Sequence, residues 1–220
     1  MVKFNLKLFV LILLALFLLC DYSFADEGVK ASEQEYENKQ EEVLKEQEKT
    51  LKAIEFLSGF GWNKLDSKTV FDKKPDYYLI PFTVDFDFNL KKLTKKFGFN
   101  PSSLVEFQLE PQISYVASPA SNVEIGSSFM LKLGFLPETS KFQPYIKGGL
   151  GLIYMTQRTQ EQSTKFNFSE TAGVGMHYYF KKDMSLVAEF RYRHVSNAGI
   201  DKPNNGINTY FVLTGVSLKY

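Results

Sequence analysis

The alternation of apolar and polar side chains from Ile54 onward constrains this fold more than any other feature. In residues 82–90, phenylalanine, valine and leucine share one face, while Asp85 and Asp87 lie on the other with threonine and asparagine. A period of two is typical of β-strands, where successive side chains point to opposite faces. The pattern therefore predicts an all-β fold built from an antiparallel sheet. Alternating segments lie at 82–90, 105–115, 123–135, 186–193 and 210–220.

The N-terminus resembles a secretory signal peptide. Lysines precede an apolar run at 9–19, and Ser23-Phe24-Ala25 supplies small residues before a predicted cleavage after Ala25. A transmembrane anchor is the alternative, but the run is shorter than the roughly 20 residues that span a bilayer. The leucines before Cys20 fit a lipoprotein signal poorly. Cleavage after Ala25 leaves no cysteine, which excludes disulfides, thiol catalysis and cysteine metal sites in the mature chain.

Three segments are predicted: a signal peptide at 1–25, a charged arm at 26–53 and a barrel at 54–220. The arm is dense in glutamate, lysine and glutamine, so it is expected to form a short charged helix or to be partly disordered. Both a solvated spacer and a coiled-coil or partner-binding role stay open for it. The net charge of +1 gives no basic excess that would indicate a nucleic-acid partner.

The placement of charges favours a transmembrane barrel over a soluble sheet. Large aromatic residues occupy the apolar faces and lie near strand ends, as an interfacial girdle requires. A soluble sheet that exposes its charges to water is the alternative. Three features favour a barrel that faces lipid on the outside and encloses the charges: a secretory leader, the absence of cysteine from the mature chain, and a last strand that ends at Tyr220. The charged positions are Asp85, Asp87, Glu106, Glu110, Glu124, Lys132, Glu189 and Arg191.

Eight antiparallel strands are predicted, most of them longer than the roughly 9–11 residues that a tilted spanning strand needs. Pro81 and Pro111 fall inside strands, where each removes a ladder hydrogen bond and is expected at a bulge. The 91–102 connection is unusually long for the periplasmic side. His177 is expected to be a hydrogen-bonded lumen residue, and no metal site is predicted. The strands are placed at 54–61, 77–90, 103–116, 122–135, 143–156, 165–180, 184–196 and 207–220.

The stretch RYRHVSNAGIDKPNNGIN, residues 191–208, contains a potential nucleophile and base. His194 and Ser196 are two residues apart and share the lipid-facing parity of Phe190, at the predicted extracellular end of strand seven. From parity alone, an interfacial histidine and a capping serine are the plainer interpretation. An imidazole can nevertheless take the serine proton if a third group holds the ring. A pair that opens toward the bilayer would suit an ester carried by a lipid.

The pattern H-x-S-N-A-G-I, followed by P-N-x-G-I and a final strand, resembles the PagL-type lipid A 3-O-deacylases, most clearly over residues 186–220. The resemblance implies an eight-stranded barrel in the Gram-negative outer membrane that hydrolyses the 3-O-linked hydroxyacyl ester of lipid A. It makes Ser196 the nucleophile and His194 the general base. Asn204 and the backbone near Gly199 would donate to the oxyanion, and Asn197 would shape the loop. No metal or cofactor is implied. The partners would be lipopolysaccharide, the membrane and the outer-membrane assembly machinery.

The sequence departs from this family at the catalytic acid, a glutamate whose position falls on Asn208. Asparagine can accept a hydrogen bond from the imidazole, but it cannot offset imidazolium charge, so a slower reaction is expected. Counting back over the turn at 181–183 places Glu170 opposite His194. We therefore hypothesise that Glu170 assists or replaces Asn208. An interfacial glutamate among headgroup cations is an equal alternative.

Two other functions remain open at this point. The asparagine at the acid position fits a structural or adhesion barrel that is weakly active or inactive. The same Ser/His pair would also suit another outer-membrane lipid enzyme, such as a phospholipase or an acyltransferase. The oligomeric state, monomer or homodimer, is left open as well.

Overall fold

Eight antiparallel strands, hydrogen-bonded to one another in chain order, close into a barrel. The structure is a computed structural model that describes residues 50–63, 77–159 and 161–220. The predicted fold class is thus confirmed. The signal peptide and nearly all of the arm lie outside the described residues. The strands are β1 Leu51–Asn63, β2 Tyr77–Asn89, β3 Ser103–Ser118, β4 Asn122–Pro137, β5 Phe142–Met155, β6 Phe166–Tyr179, β7 Met184–Ser196 and β8 Ile207–Lys219, and a short helix α1 spans Lys91–Lys96.

The first strand is longer than its sequence pattern indicates. It begins at Leu51, ahead of the predicted start at Ile54, and pairs with both β2 and β8. The sequence did not indicate this extension, because Lys52 is charged like the residues of the preceding arm. The side chain of Lys52 is buried, with its Nζ 3.2 Å from Glu106 Oε1. The lysine therefore belongs to the lumen face of the barrel.

The strand prolines do not mark bulges, so that expectation is wrong. Pro81 pairs with Ser114 and Pro111 with Ser127, and the register continues unchanged through both pairs. The register shifts of β2 and β3 lie elsewhere, between Tyr78 and Leu79 and between Ser103 and Val105. A missing N–H donor is thus tolerated within a regular ladder at both positions.

The two faces of the barrel wall differ as the alternation predicted. Phenylalanine, leucine, isoleucine and tyrosine side chains are exposed on the outside, and the charged side chains are buried in the lumen. Lys132 Nζ lies 2.9 Å from Glu55 Oε1 and 2.8 Å from Asp87 Oδ2. Arg191 Nη1 lies 2.6 Å from Glu110 Oε1. Ion pairs therefore occupy part of the interior, and a cluster of buried apolar side chains that includes Leu57, Leu79 and Phe211 occupies another part. No helix among the described residues is long and apolar enough to cross a membrane.

The barrel has two distinct ends. We call the end that holds Leu51 and Lys219 the terminal rim; it also carries α1 and the short connections 138–141 and 180–183. The opposite end, the loop rim, carries the longer connections 156–165 and 197–206. Strand β7 runs toward the loop rim and β8 returns from it. The residues of the 191–208 stretch therefore gather at the loop rim.

Candidate active site

Strand β7 presents His194 and Ser196 on the outer wall of the barrel. Residues 191, 193 and 195 are buried in the lumen, whereas the side chains of His194 and Ser196 are partly exposed on the other face. The outward parity expected from the sequence agrees with this burial pattern. The pair is therefore accessible from the bilayer side and separate from the lumen.

Asn208 holds the His194 ring across the β7–β8 ladder. The two residues are direct partners in the register, and His194 Nδ1 lies 2.6 Å from Asn208 Oδ1. The Tyr192 hydroxyl donates to the same oxygen at 2.9 Å. Because an amide oxygen only accepts hydrogen bonds, the proton of the neutral imidazole is on Nδ1. Nε2 then carries the lone pair, and Ser196 shares the outward face of β7 with the ring. The described part of the chain contains no hydrogen bond between Ser196 and His194.

Glu170 lies opposite His194 on the other side of β7. The predicted pairing of these two residues is confirmed by the register of β6 and β7. The Glu170 side chain is exposed, and it makes no hydrogen bond to His194 in the described part of the chain. Asn208, rather than Glu170, therefore contacts the ring in this arrangement.

Gly206 packs against the His194 ring and was missed by the sequence analysis. A Cβ atom at this position would lie 2.5 Å from His194 Cε1, and the backbone φ of 75° is in the left-handed region. Both facts require glycine. The only sequence signal was its place in P-N-x-G-I, where a loop glycine is unremarkable. The close approach limits the positions that the imidazole can occupy.

The Asn197 side chain makes two hydrogen bonds within the loop after β7. Its buried side chain accepts from Gly199 N at 2.9 Å and donates to Asp201 O at 2.9 Å. The Gly199 amide is therefore engaged and is not free for a substrate oxygen in this conformation. Asn204 Oδ1 accepts from Asn197 N at 2.9 Å, which leaves the Asn204 Nδ2 group as a donor.

A second loop supports this one. Residues 161–163 of the β5–β6 connection run beside residues 203–205, with an isolated bridge between Gln162 and Asn204. Asn205 N donates to Glu161 O at 2.9 Å, and Ser163 N donates to Pro203 O at 3.0 Å. Gln162 is fully buried and its Nε2 lies 3.4 Å from Val195 O. Sequence reasoning missed this contact, because it joins two loops without any periodic pattern.

The lumen contains another Ser/His pair. His177 Nδ1 lies 3.0 Å from Ser185 Oγ, and His177 Nε2 lies 3.3 Å from Glu55 Oε1. The three groups resemble a Ser-His-acid arrangement, but all are buried. Glu55 is also paired with Lys132. The hydrogen-bonded lumen role expected for His177 fits this environment.

Three lumen carboxylates, of Glu55, Asp85 and Glu189, also come within 4.8 Å of one another. Sequence spacing did not predict this group, because its members lie on three different strands. Lysine and arginine already neutralise it: Lys147 Nζ lies 3.4 Å from Asp85 Oδ2 and 3.0 Å from Glu189 Oε1. A divalent cation at this position would be repelled by the neighbouring ammonium group.

Comparisons with known proteins agree with the geometry. The family model described as lipid A 3-O-deacylase (PagL) matches residues 76–217. The crystal structure of the outer-membrane enzyme PagL is similar, with a TM-score of 0.50 and 15% identity over 76% of this chain and 98% of that one. Neisserial surface protein A is similar too, with a TM-score of 0.52 and 11% identity over 77% and 97%. No curated protein sequence matches.

The two solved structures support the barrel fold alone, because their identities to this chain are low. The family model carries more weight, since it spans β2 to β8 and includes every residue of the outer-wall site described above. This chain is an outer-membrane-type β-barrel, and it belongs to the PagL family of lipid A 3-O-deacylases.

Proposed function

We propose that this protein hydrolyses the 3-O-linked hydroxyacyl ester of lipid A, with Ser196 as nucleophile and His194 as general base. The observation that carries the proposal is the 2.6 Å contact between His194 Nδ1 and Asn208 Oδ1 on the outer wall. That contact fixes the tautomer in which Nε2 can accept a proton from a serine on the same face. Family membership supplies the substrate class.

In the first step, Ser196 Oγ attacks the ester carbonyl carbon while His194 Nε2 takes the hydroxyl proton. The tetrahedral intermediate then collapses, and the imidazolium returns the proton to the departing sugar oxygen. The acyl chain stays on Ser196 as an ester. Water activated by the same imidazole releases it as a free hydroxy acid and restores the serine. Every proton in this cycle passes through Nε2.

The loop between β7 and β8 would stabilise the oxyanion of the intermediate. Asn204 Nδ2 would be the side-chain donor, because Asn204 Oδ1 already accepts from Asn197 N and the amide nitrogen is left to donate. The Gly199 amide would join it only if the Asn197 side chain releases that N–H. Donors held in place before reaction stabilise developing charge more strongly than donors that must reorganise.

Asn208 orients the base, and Glu170 would compensate for the charge that asparagine lacks. Glu170 stands directly across the strand pair from His194. Residues paired in this way have Cα atoms roughly 4.5–5.5 Å apart. A carboxylate on a directly paired residue would be near enough to stabilise the imidazolium even without a direct hydrogen bond.

The decisive experiment is mass spectrometry of lipid A incubated with the refolded protein. The wild-type protein is expected to remove one 3-hydroxyacyl chain, and Ser196→Ala is expected to leave lipid A intact. Ser185→Ala is the matched control, because it removes a serine of the same strand that also contacts a histidine, but in the lumen. It should retain deacylation.

Three outcomes of this experiment would contradict the proposal. Cleaved phospholipid with unchanged lipid A would indicate a phospholipase. No change in either lipid, from protein whose folded state is confirmed by its gel mobility without heating, would indicate a structural barrel. Equal deacylation by wild type and Ser196→Ala would exclude Ser196 as the nucleophile.

A further inference from the structure

The connection between β2 and β3 forms an unusual surface at the terminal rim. It contains α1 and carries exposed lysines beside exposed apolar side chains. Phe97 is 81% exposed, Phe99 53% and Leu93 52%. The proposed reaction uses none of these residues, because the candidate site lies at the opposite rim. We call this surface the basic-aromatic patch; it consists of Leu93, Lys95, Lys96, Phe97 and Phe99.

The patch is held in a fixed position on the barrel. Lys91 is buried, and its Nζ forms an ion pair with Glu138 of the β4–β5 connection. Lys91 N also donates to Asn89 Oδ1 at 2.9 Å. At the other end of α1, Gly98 has a φ of 78° and its N donates to Lys95 O at 3.1 Å, which ends the helix. The exposed phenylalanines are thus presented by an ordered turn.

The barrel wall beside the patch indicates which environment the patch contacts. Phe88 of β2 and Phe107 of β3 are paired, and their ring centroids lie 6.2 Å apart on the lipid-facing side. The patch lies next to this pair, in the connection between the two strands, just beyond the apolar band of the barrel wall. Aromatic side chains with adjacent lysines are typical of the zone between hydrocarbon and headgroups, where the rings enter the membrane and the ammonium groups meet phosphates.

We propose that the basic-aromatic patch binds anionic phospholipid headgroups of the leaflet at the terminal rim. The lysines would supply the attraction to negative charge, and Phe97 and Phe99 would insert beside them. The patch would then fix the depth of the barrel in the membrane at the rim opposite the candidate site. This inference does not depend on the proposed hydrolysis.

A fluorescence measurement tests the proposal on the full-length protein. The chain has one tryptophan, Trp62, so Phe97→Trp in a Trp62→Phe background reports on the patch alone. The protein is reconstituted in phosphatidylcholine vesicles with or without phosphatidylglycerol. We expect emission at shorter wavelength and stronger quenching by brominated lipid when phosphatidylglycerol is present, and high salt should reduce both effects.

Charge variants in the same reporter background separate lipid binding from other causes. Lys95→Gln/Lys96→Gln is expected to abolish the response to phosphatidylglycerol. Lys165→Gln/Lys202→Gln, which neutralises the same number of exposed lysines at the loop rim, is expected to retain it. Identical emission in both vesicle types, or a response that survives the substitutions in the patch, would overturn the proposal. A wavelength that changes with protein concentration instead of lipid charge would also overturn it, by assigning the patch to contacts between copies.

Discussion

At the scale of single residues, Asn208 gives the site its most unusual property. Its amide oxygen fixes the imidazole as a carboxylate would, but without negative charge. The Tyr192 hydroxyl donates to the same oxygen and keeps the amide from rotating. The family resemblance placed the acid position on Asn208, and strand parity placed it on the same face as His194, across the last loop. The contribution of Tyr192 depends on a side-chain rotamer and could not be read from the pattern.

Asn208→Asp is expected to raise kcat about a hundredfold with little change in KM, because a carboxylate stabilises the imidazolium formed in the transition state. Glu170→Gln should lower kcat in the wild-type background. It should have little effect in the Asn208→Asp variant, where the new carboxylate supplies the charge. Deacylation rates of the two single variants and the double variant measure this coupling. Additive effects would show that Glu170 acts independently of the His194 charge.

Gly206→Ala is expected to reduce turnover on the order of a hundredfold while the barrel still folds. The new methyl group would require His194 to move, because it would lie 2.5 Å from Cε1. Gly98→Ala is the matched control: its φ of 78° imposes the same backbone strain, but among the described residues beyond its chain neighbours no atom lies within 4 Å of the added carbon. If both variants lose equal activity, strain rather than contact with His194 explains the loss.

At the scale of elements, the site depends on a loop that contains none of its proposed catalytic groups. The β5–β6 connection supports the loop that carries Asn204, through backbone hydrogen bonds and the buried Gln162. Most of the strands were predictable, because they have an alternation of apolar and polar side chains, although the start of β1 was not. Contacts between loops have no such period. The sequence therefore indicated the candidate catalytic residues, but not the loop that supports the site.

Gln162→Ala is expected to lower kcat roughly tenfold and to leave KM nearly unchanged, because Asn204 would lose the support that holds it before reaction. Gln157→Ala is the matched control, as Gln157 lies in the same connection and donates to Ser121 O at 3.2 Å from an exposed position. Steady-state kinetics on a soluble lipid A analogue distinguish the two. A larger effect of the Gln157 substitution would contradict this role of Gln162.

At the scale of the whole molecule, the lumen acts as the core of the protein. Charged side chains from several strands meet there, and Lys132 alone contacts Glu55, Asp87 and Glu106. The sequence predicted many of the charged residues that point inward, but not Lys52. It did not predict which of them pair, because the pairs join strands far apart in the chain.

Lys132→Met is expected to lower the free energy of unfolding by about 3–5 kcal/mol, because it leaves buried carboxylates without their cation. Lys181→Met removes an exposed lysine and should have almost no effect. Urea titrations of both variants in detergent micelles, followed by tryptophan fluorescence, provide the comparison. Equal stability of the two variants would show that water or protons replace the lost ion pairs at little cost.

Because the Ser/His pair lies on the outer wall, the encounter between enzyme and lipid would take place in two dimensions. The rate would then follow the mole fraction of substrate in the surrounding film rather than its bulk concentration. Diluting lipid A with inert detergent at constant total lipid A should slow the reaction, although the number of substrate molecules per volume stays the same. The surface density of lipid A around the barrel would thus determine the rate of hydrolysis.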